Sequence, residues 1–327
     1  MSATVATSRH DPALGFHRQH LLGCEDLRPW EIEALLERAD AFADGAQSPD
    51  LLRGQTLINL FFEDSTRTRT AFEVAARRLG ADVVNMQVAS SSVNKGESLL
   101  DTAATLNALD PAFLVVRHPE SGAPALLASK VQAAVVNGGD GTHEHPTQAL
   151  LDVLTLRRHF GQLEGLKVAI CGDIAHSRVA RSNLFLLTQM GVKVRLIGPP
   201  GLVPAAFEAL GAEIHFRRDS GLKGVDAVMM LRLQRERMAG GQQITAGEFF
   251  RFYGLDAAAL ALAAKQAVIL HPGPMNRGVE IASSLADDPT RSLIATQVRL
   301  GVAVRQACFA ALQAARISSA DALEPES

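Results

Sequence analysis

Apolar residues follow two alternating patterns along the chain. Leu57, Ile58, Leu60, Phe61 and Phe62 form a short continuous run, as a buried strand does. Ala71, Phe72, Ala75, Ala76 and Leu79 then recur at helical spacing until Gly80 ends the pattern. Further strands are expected over 82–86, 112–116 and 133–137, alternating with helices over 98–109 and 124–130. An earlier helix starts near Asp26, with Pro29 in its first turn and Ile32, Leu35, Leu36 and Ala39 on one face. The turn-rich segment GGDGTHEHPTQ, 138–148, opens a long helix over 149–160. That helix is apolar nearly all round, as burial between two bodies requires.

A second alternating series follows. Strands are expected over 167–171, 193–197, 213–215, 227–230 and 267–271, with helices over 179–190 and from Pro204. A strongly apolar helix over 292–315 ends the pattern and is expected to return to the first half of the chain. Strands alternating with helices imply an α/β fold of parallel sheets flanked by helices. At 327 residues the chain exceeds what one core usually organises, so two domains are expected. The division is an N-terminal arm over 1–20, a first domain over 21–150 completed by the terminal helix within 291–327, and a second domain over 151–290.

Charge and composition narrow the partners. The net charge of −3 argues against bulk nucleic-acid binding, so an anion site must be a local gathering of arginines. No apolar run approaches the ~20 residues of a membrane span, and the N-terminus lacks the apolar segment of a secretion signal. Cys24, Cys171 and Cys308 have neither zinc nor disulfide spacing, which points to a reducing compartment, the cytoplasm by default. No metal constellation, Walker-type phosphate loop or complete GxGxxG stands out, so neither a cofactor nor a metal is expected.

The chemistry collects at strand ends, where open parallel sheets bind ligands. Glu63-Asp64-Ser65-Thr66-Arg67-Thr68-Arg69 follows the first strand and leads into a helix. Helix N-termini favour anions, and a guanidinium matches phosphate oxygens, so this knot reads as a phosphate site. Arg117 follows the next such strand, and His145 and Gln148 lie in the turn-rich segment. In the second half, Gly172-Asp173 with Arg178, then Arg232-Leu233-Gln234, then His271-Pro272-Gly273-Pro274 take the same positions. Arginines in both halves suit a ligand set with anionic groups at two ends.

Two strings, Ser65-Thr66-Arg67-Thr68-Arg69 and His145-Pro146-Thr147-Gln148, resemble the two signatures of the carbamoyltransferases. Lys95-Gly96-Glu97-Ser98, Arg232-Leu233-Gln234-Arg235-Glu236-Arg237 and His271-Pro272-Gly273-Pro274 narrow the likeness to the catalytic chains of the aspartate branch. The ornithine branch carries a cysteine in the late loop, which this chain lacks. The likeness covers roughly 21–315. It implies a carbamoyl phosphate-binding first domain, an aspartate-binding second domain, and transfer of the carbamoyl group to L-aspartate in pyrimidine biosynthesis.

Residue by residue, the resemblance implies that Ser65, Thr66, Arg67 and Thr68 hold the phosphate, with Arg117 beside them and Arg69 bracing the loop through a carboxylate. Thr68, Arg117 and His145 would surround the carbamoyl oxygen. Gln148 and the Pro272-Gly273-Pro274 segment would hold the carbamoyl NH2. Arg178 and Arg232, assisted by Gln234, would bind aspartate. Lys95 and Ser91 would enter from the adjacent subunit of a homotrimer. Transfer to another amino acid such as ornithine, or an inactive scaffold or regulatory homologue, stays open. So does a larger assembly with regulatory or dihydroorotase-like chains.

Overall fold

Strand β1 (Thr56–Phe61) lies at the centre of the first half, buried at five of its six positions. It follows helix α1 (Pro29–Ala43), which begins with a proline in its first turn. The computed structural model describes residues 15–87, 99–234 and 244–321. The chain divides into two units, Met1–Leu154 with Arg299–Ser327, and Thr155–Val298.

In the first unit α2 (Thr66–Arg78), β2 (Asp82–Gln87), α3 (Leu99–Ala108), β3 (Phe113–His118), α4 (Ala123–Ala128), β4 (Ala134–Asp140) and α5 (Pro146–Phe160) follow in order. The strands form a parallel sheet in the order β2-β1-β3-β4. Leu60, Leu114, Val116 and Val135 pack with Leu106 and Leu127 into its core. Such continuous apolar strands are what a sheet covered on both faces requires. The segment read as an arm is packed from Phe16 onward: Phe16 is buried, Arg18 pairs with Glu31 at 2.7 Å, and His20 Nδ1 accepts the Val135 N–H at 3.0 Å.

The second unit contains β5 (Lys167–Cys171), α6 (Arg178–Gln189), β6 (Lys193–Ile197), β7 (Glu213–His215), α7 (Arg218–Leu222) and β8 (Ala227–Met230). Then come α8 (Ala246–Tyr253), α9 (Ala257–Leu260), β9 (Val268–Leu270) and α10 (Ser283–Ala286). Its parallel sheet runs β7-β6-β5-β8-β9. The helix expected from Pro204 is instead a 3-10 turn, Ala205–Leu210, stopped by Gly211 in the left-handed conformation. Four short helices here, α7 to α10, have no counterpart in the sequence reading.

Helix α11 (Ile294–Asp321) carries the chain back, and from Arg299 on it belongs to the first unit. Phe309 stacks against Phe72 and Phe113, with ring centroids 5.9 and 5.6 Å away. The return expected of the terminal helix thus rests on aromatic packing against α2 and β3.

Candidate active site

Both sheets reverse their direction of growth at one point. In the first unit this falls between β1 and β3, and in the second between β5 and β8. Ligand crevices form outside the carboxyl ends of strands at such switch points. Ser65–Arg69 and Arg117 follow β1 and β3, and Arg178 and Arg232 follow β5 and β8, at these two points; His145 with Gln148, and Gly273 with Pro274, follow the neighbouring strands β4 and β9.

In the first unit, Ser65 is the N-cap of α2, and Thr66, Arg67 and Thr68 form its first turn. The helix starts earlier than its apolar period suggests, so the polar knot is itself the helix terminus. The Ser65 side chain makes no capping hydrogen bond, a geometry that keeps the hydroxyl for other partners. Arg67 is exposed as a residue, and neighbouring atoms crowding its guanidinium lower its pKa. Arg69 lies within electrostatic reach of Glu73. The Glu73 pKa is lowered chiefly by the Asn85 amide and then by Arg77, with a lesser contribution from Arg69.

Arg117 sits directly across from Phe61 in the β1–β3 register. Its Nε lies 3.2 Å from Glu63 Oε2, and its Nη1 donates to the Gly138 carbonyl at 3.2 Å. Arg117 is thereby held between the loop after β1 and strand β4. His145 precedes α5 and Gln148 lies in its first turn, both buried. Gln148 donates through Nε2 to Asp152 Oδ1 at 2.9 Å.

Two buried carboxylates shape the loop ahead of His145. Asp140 accepts from Gly122 N at 2.7 Å, Asn137 Nδ2 at 2.8 Å and Glu144 N at 3.0 Å. Burial opposes its ionisation, yet the His143 ring, Asn137 and the Gly122 N–H outweigh that and hold its pKa below the ordinary value. Glu144 accepts the Cys24 N–H with both oxygens, at 2.8 and 2.9 Å.

In the second unit, Arg178 is the first residue of α6 and is buried. Ser177 caps that helix by accepting from Ala180 N. Arg232 and Gln234 follow β8, the strand beside β5. Fully buried Asp173 joins the two strand ends: Oδ1 lies 2.8 Å from His176 Nδ1, and Oδ2 accepts the Gln234 N–H at 3.3 Å. Gln234 Nε2 donates to the His176 carbonyl at 2.9 Å. Gly172 makes this approach feasible, since at φ 143 a Cβ would meet the Leu231 carbonyl at 2.6 Å. Gly273 and Pro274 follow β9, the next strand over. Ser91 and Lys95, together with 235–237, lie outside the described residues.

The three thiols are buried and form no disulfide. Burial pushes Cys171 and Cys308 up to about 12, which leaves both as inert thiols rather than nucleophiles. Among the described residues no group of three His, Cys, Asp or Glu side chains is arranged to hold a metal, and no helix is long and apolar enough to cross a membrane.

A family model described as the carbamoyl-P binding domain of aspartate/ornithine carbamoyltransferase matches residues 19–158. The Asp/Orn binding domain of the same family matches residues 164–312. The chain belongs to the aspartate/ornithine carbamoyltransferase family.

Within this family the chain is 64% identical to the aspartate carbamoyltransferase catalytic subunit of Granulibacter bethesdensis, over 91% of this chain and 96% of the relative. It is equally 64% identical to that of Gluconacetobacter diazotrophicus, over 89% and 92%. Among solved structures, an aspartate transcarbamoylase from Trypanosoma cruzi in complex with aspartate and phosphate aligns with a TM-score of 0.79 at 33% identity, covering 92% of this chain and 97% of that one. An ornithine carbamoyltransferase from Thermus thermophilus aligns with 0.81 at 27%, covering 90% and 99%. Backbone shape therefore does not separate the two branches of the carbamoyltransferase family; local residues must.

The sequence pattern gave no role to three buried carboxylates near the named residues: Asp140 and Glu144, which accept backbone N–H groups, and Asp152, which accepts the Gln148 amide. Their one sequence signal is position. Each lies within a few residues of a strand end or helix start, where backbone N–H groups collect.

Proposed function

We propose that the chain transfers the carbamoyl group of carbamoyl phosphate to the α-amine of L-aspartate, giving N-carbamoyl-L-aspartate and phosphate. The observation that carries this reading is the meeting of three elements at one sheet edge of the first unit. These are the α2 terminus with Ser65–Arg69, Arg117 at the end of β3, and His145 with Gln148 at the start of α5. Close identity to aspartate carbamoyltransferase catalytic subunits supports the choice of acceptor. So does the late loop HPGP, which carries no cysteine.

Ser65, Thr66, Arg67 and Thr68 bind the phosphate at the positive end of α2, with Arg117 alongside. Thr68, Arg117 and His145 face the carbamoyl oxygen. Gln148, with carbonyls of the Pro272-Gly273-Pro274 loop, holds the carbamoyl NH2. Arg178 and Arg232 bind the carboxylates of aspartate, with Gln234 beside them. The neutral amine attacks the carbamoyl carbon, the new C–N bond forms, and negative charge gathers on the carbonyl oxygen. Donors already aimed at that oxygen stabilise the intermediate. The C–O bond to phosphate then breaks, and the departing phosphate takes the amine proton, so no protein base is required. The arginines also overcome the repulsion between two anionic substrates, which is the work of approximation.

Lys95 and Ser91 complete the site from the adjacent subunit of a homotrimer. The buried, unbridged thiols support a reducing compartment such as the cytoplasm.

The test is turnover of the purified full-length chain with carbamoyl phosphate and either L-aspartate or L-ornithine, following phosphate and the carbamoylated product. Aspartate is the expected acceptor. Activity with ornithine and none with aspartate overturns the reading, and no carbamoyl transfer to either leaves only a carbamoyltransferase scaffold.

A further inference from the structure

One buried carboxylate has no part in the chemistry so far. Asp152 lies on α5 one turn beyond Gln148, fully enclosed, and its Oδ1 accepts Gln148 Nε2 at 2.9 Å. A buried carboxylate next to a ligand-binding amide is costly unless a positive charge compensates it. Arg305 on α11 supplies that charge. Burial lowers its pKa to about 10, with Cys308 and Asp152 acting in the opposite direction, so the guanidinium stays charged at neutral pH. Arg305 is fixed in turn: Nη1 donates to the Gly301 carbonyl at 2.6 Å, and the guanidinium lies 4.7 Å above the Phe72 ring of α2. Gly301 leaves the room for this, since a Cβ there would meet Arg305 Nη1 at 2.9 Å.

An ionised carboxylate can only accept hydrogen bonds. Gln148 must therefore turn its NH2 toward Asp152, which leaves Oε1 as the atom it can offer a ligand. We propose that Asp152 is a positioning residue that makes Gln148 an obligate acceptor, so that the site reads the NH2 of a carbamoyl group and rejects acyl phosphates with a methyl there. This inference rests on the proposed function and adds a reason for its substrate selectivity. A site built to pair a polar substrate group discriminates strongly against the analogue that lacks it, because its own polar atom is then left unpaired.

The probe is acetyl phosphate, which replaces the carbamoyl NH2 by CH3. Its Ki as a competitor of carbamoyl phosphate, divided by the KM of carbamoyl phosphate, measures the discrimination. Asp152→Asn is isosteric and can pair with either end of the Gln148 amide. It is expected to lower the ratio about tenfold, the worth of one hydrogen bond. The double variant Asp152→Asn with Arg305→Met removes both buried charges together, which guards against misfolding caused by an uncompensated Arg305. The same fall is expected in it. A folded variant that keeps the wild-type ratio while its turnover falls shows that Asp152 serves only the fold, and overturns the inference alone. Absence of carbamoyl transfer by the wild-type chain overturns the proposed function itself.

Discussion

Nε2 of His271 lies 3.2 Å from Oε1 of Glu280, with both side chains fully buried. His271 Nδ1 accepts the Gly273 N–H at 2.8 Å, so the ring proton sits on Nε2 and points at the carboxylate. Glu280 also accepts the Asn276 N–H. The two residues thus tie together both ends of the loop that carries Gly273 and Pro274. Glu280→Ala leaves the buried His271 donor and the part-buried Asn276 N–H without their acceptor, and is expected to lower unfolding free energy by about 2–4 kcal/mol. Glu280→Gln keeps an acceptor oxygen and should lose less than half as much. Urea denaturation midpoints measure both, and equal losses would show that the hydrogen bonds are not the cause.

Arg67 and His145 are expected to separate in kinetics. Under the proposed function Arg67→Ala removes a ground-state phosphate contact and should act mainly on the KM of carbamoyl phosphate. Under the same proposal His145→Ala removes a donor whose bond strengthens as charge develops, and is expected to lower kcat by roughly 10²–10³ with KM changed only a few-fold. Steady-state kinetics decide. A His145 effect confined to KM would remove it from the transition state.

The proposed function has Lys95 enter from the adjacent subunit of a homotrimer. Chains carrying Lys95→Ala, mixed with chains carrying Arg67→Ala, should regain activity through hybrid trimers with one intact site. The readout is activity after mixing under conditions where mass measurement shows subunit exchange. Exchange without recovery argues for a site built from one chain.

Asp140 makes an acid-sensitive contribution. Its folded-state pKa lies below the ordinary value. The stabilisation it provides is therefore fully present above the unfolded value, ~3.9, and is lost as pH falls through the folded value. Asp140→Asn should be less stable than wild type at neutral pH, by about 1–2 kcal/mol. It should also lose less on acidification. Urea midpoints from about pH 6 down to about pH 3 give the comparison; parallel curves would place the acid sensitivity elsewhere.

Much of the fold was legible because long apolar periods carry it. β1, β5 and β6 lie where short, mostly apolar runs put them. The short helices of the second unit have too few turns to show a period. Even so, α8 carries a readable start: Thr245 accepts from Glu248 N, and Glu248 accepts the Thr245 N–H in return. The turn after Pro204 failed in the other direction, since a proline start followed by apolar residues also fits a tight 3-10 turn.

The sequence by itself determined the alternation of strands and helices, the anion preference of Ser65–Arg69, and the residue types that carboxylate and phosphate groups require. These depend on near neighbours along the chain: period, caps, and the density of arginine at a helix start. Only the tertiary structure decided which strand ends are neighbours, and so which polar residues share an edge. It placed Arg117 beside Glu63 and joined Asp173 to Gln234. Those pairings set direction rather than chemistry. The direction of a hydrogen bond depends on partners tens of residues away, and strand order brings them together. The arginines and the acidic Glu63 could be read in the sequence; which arginine Glu63 meets was decided only in the fold.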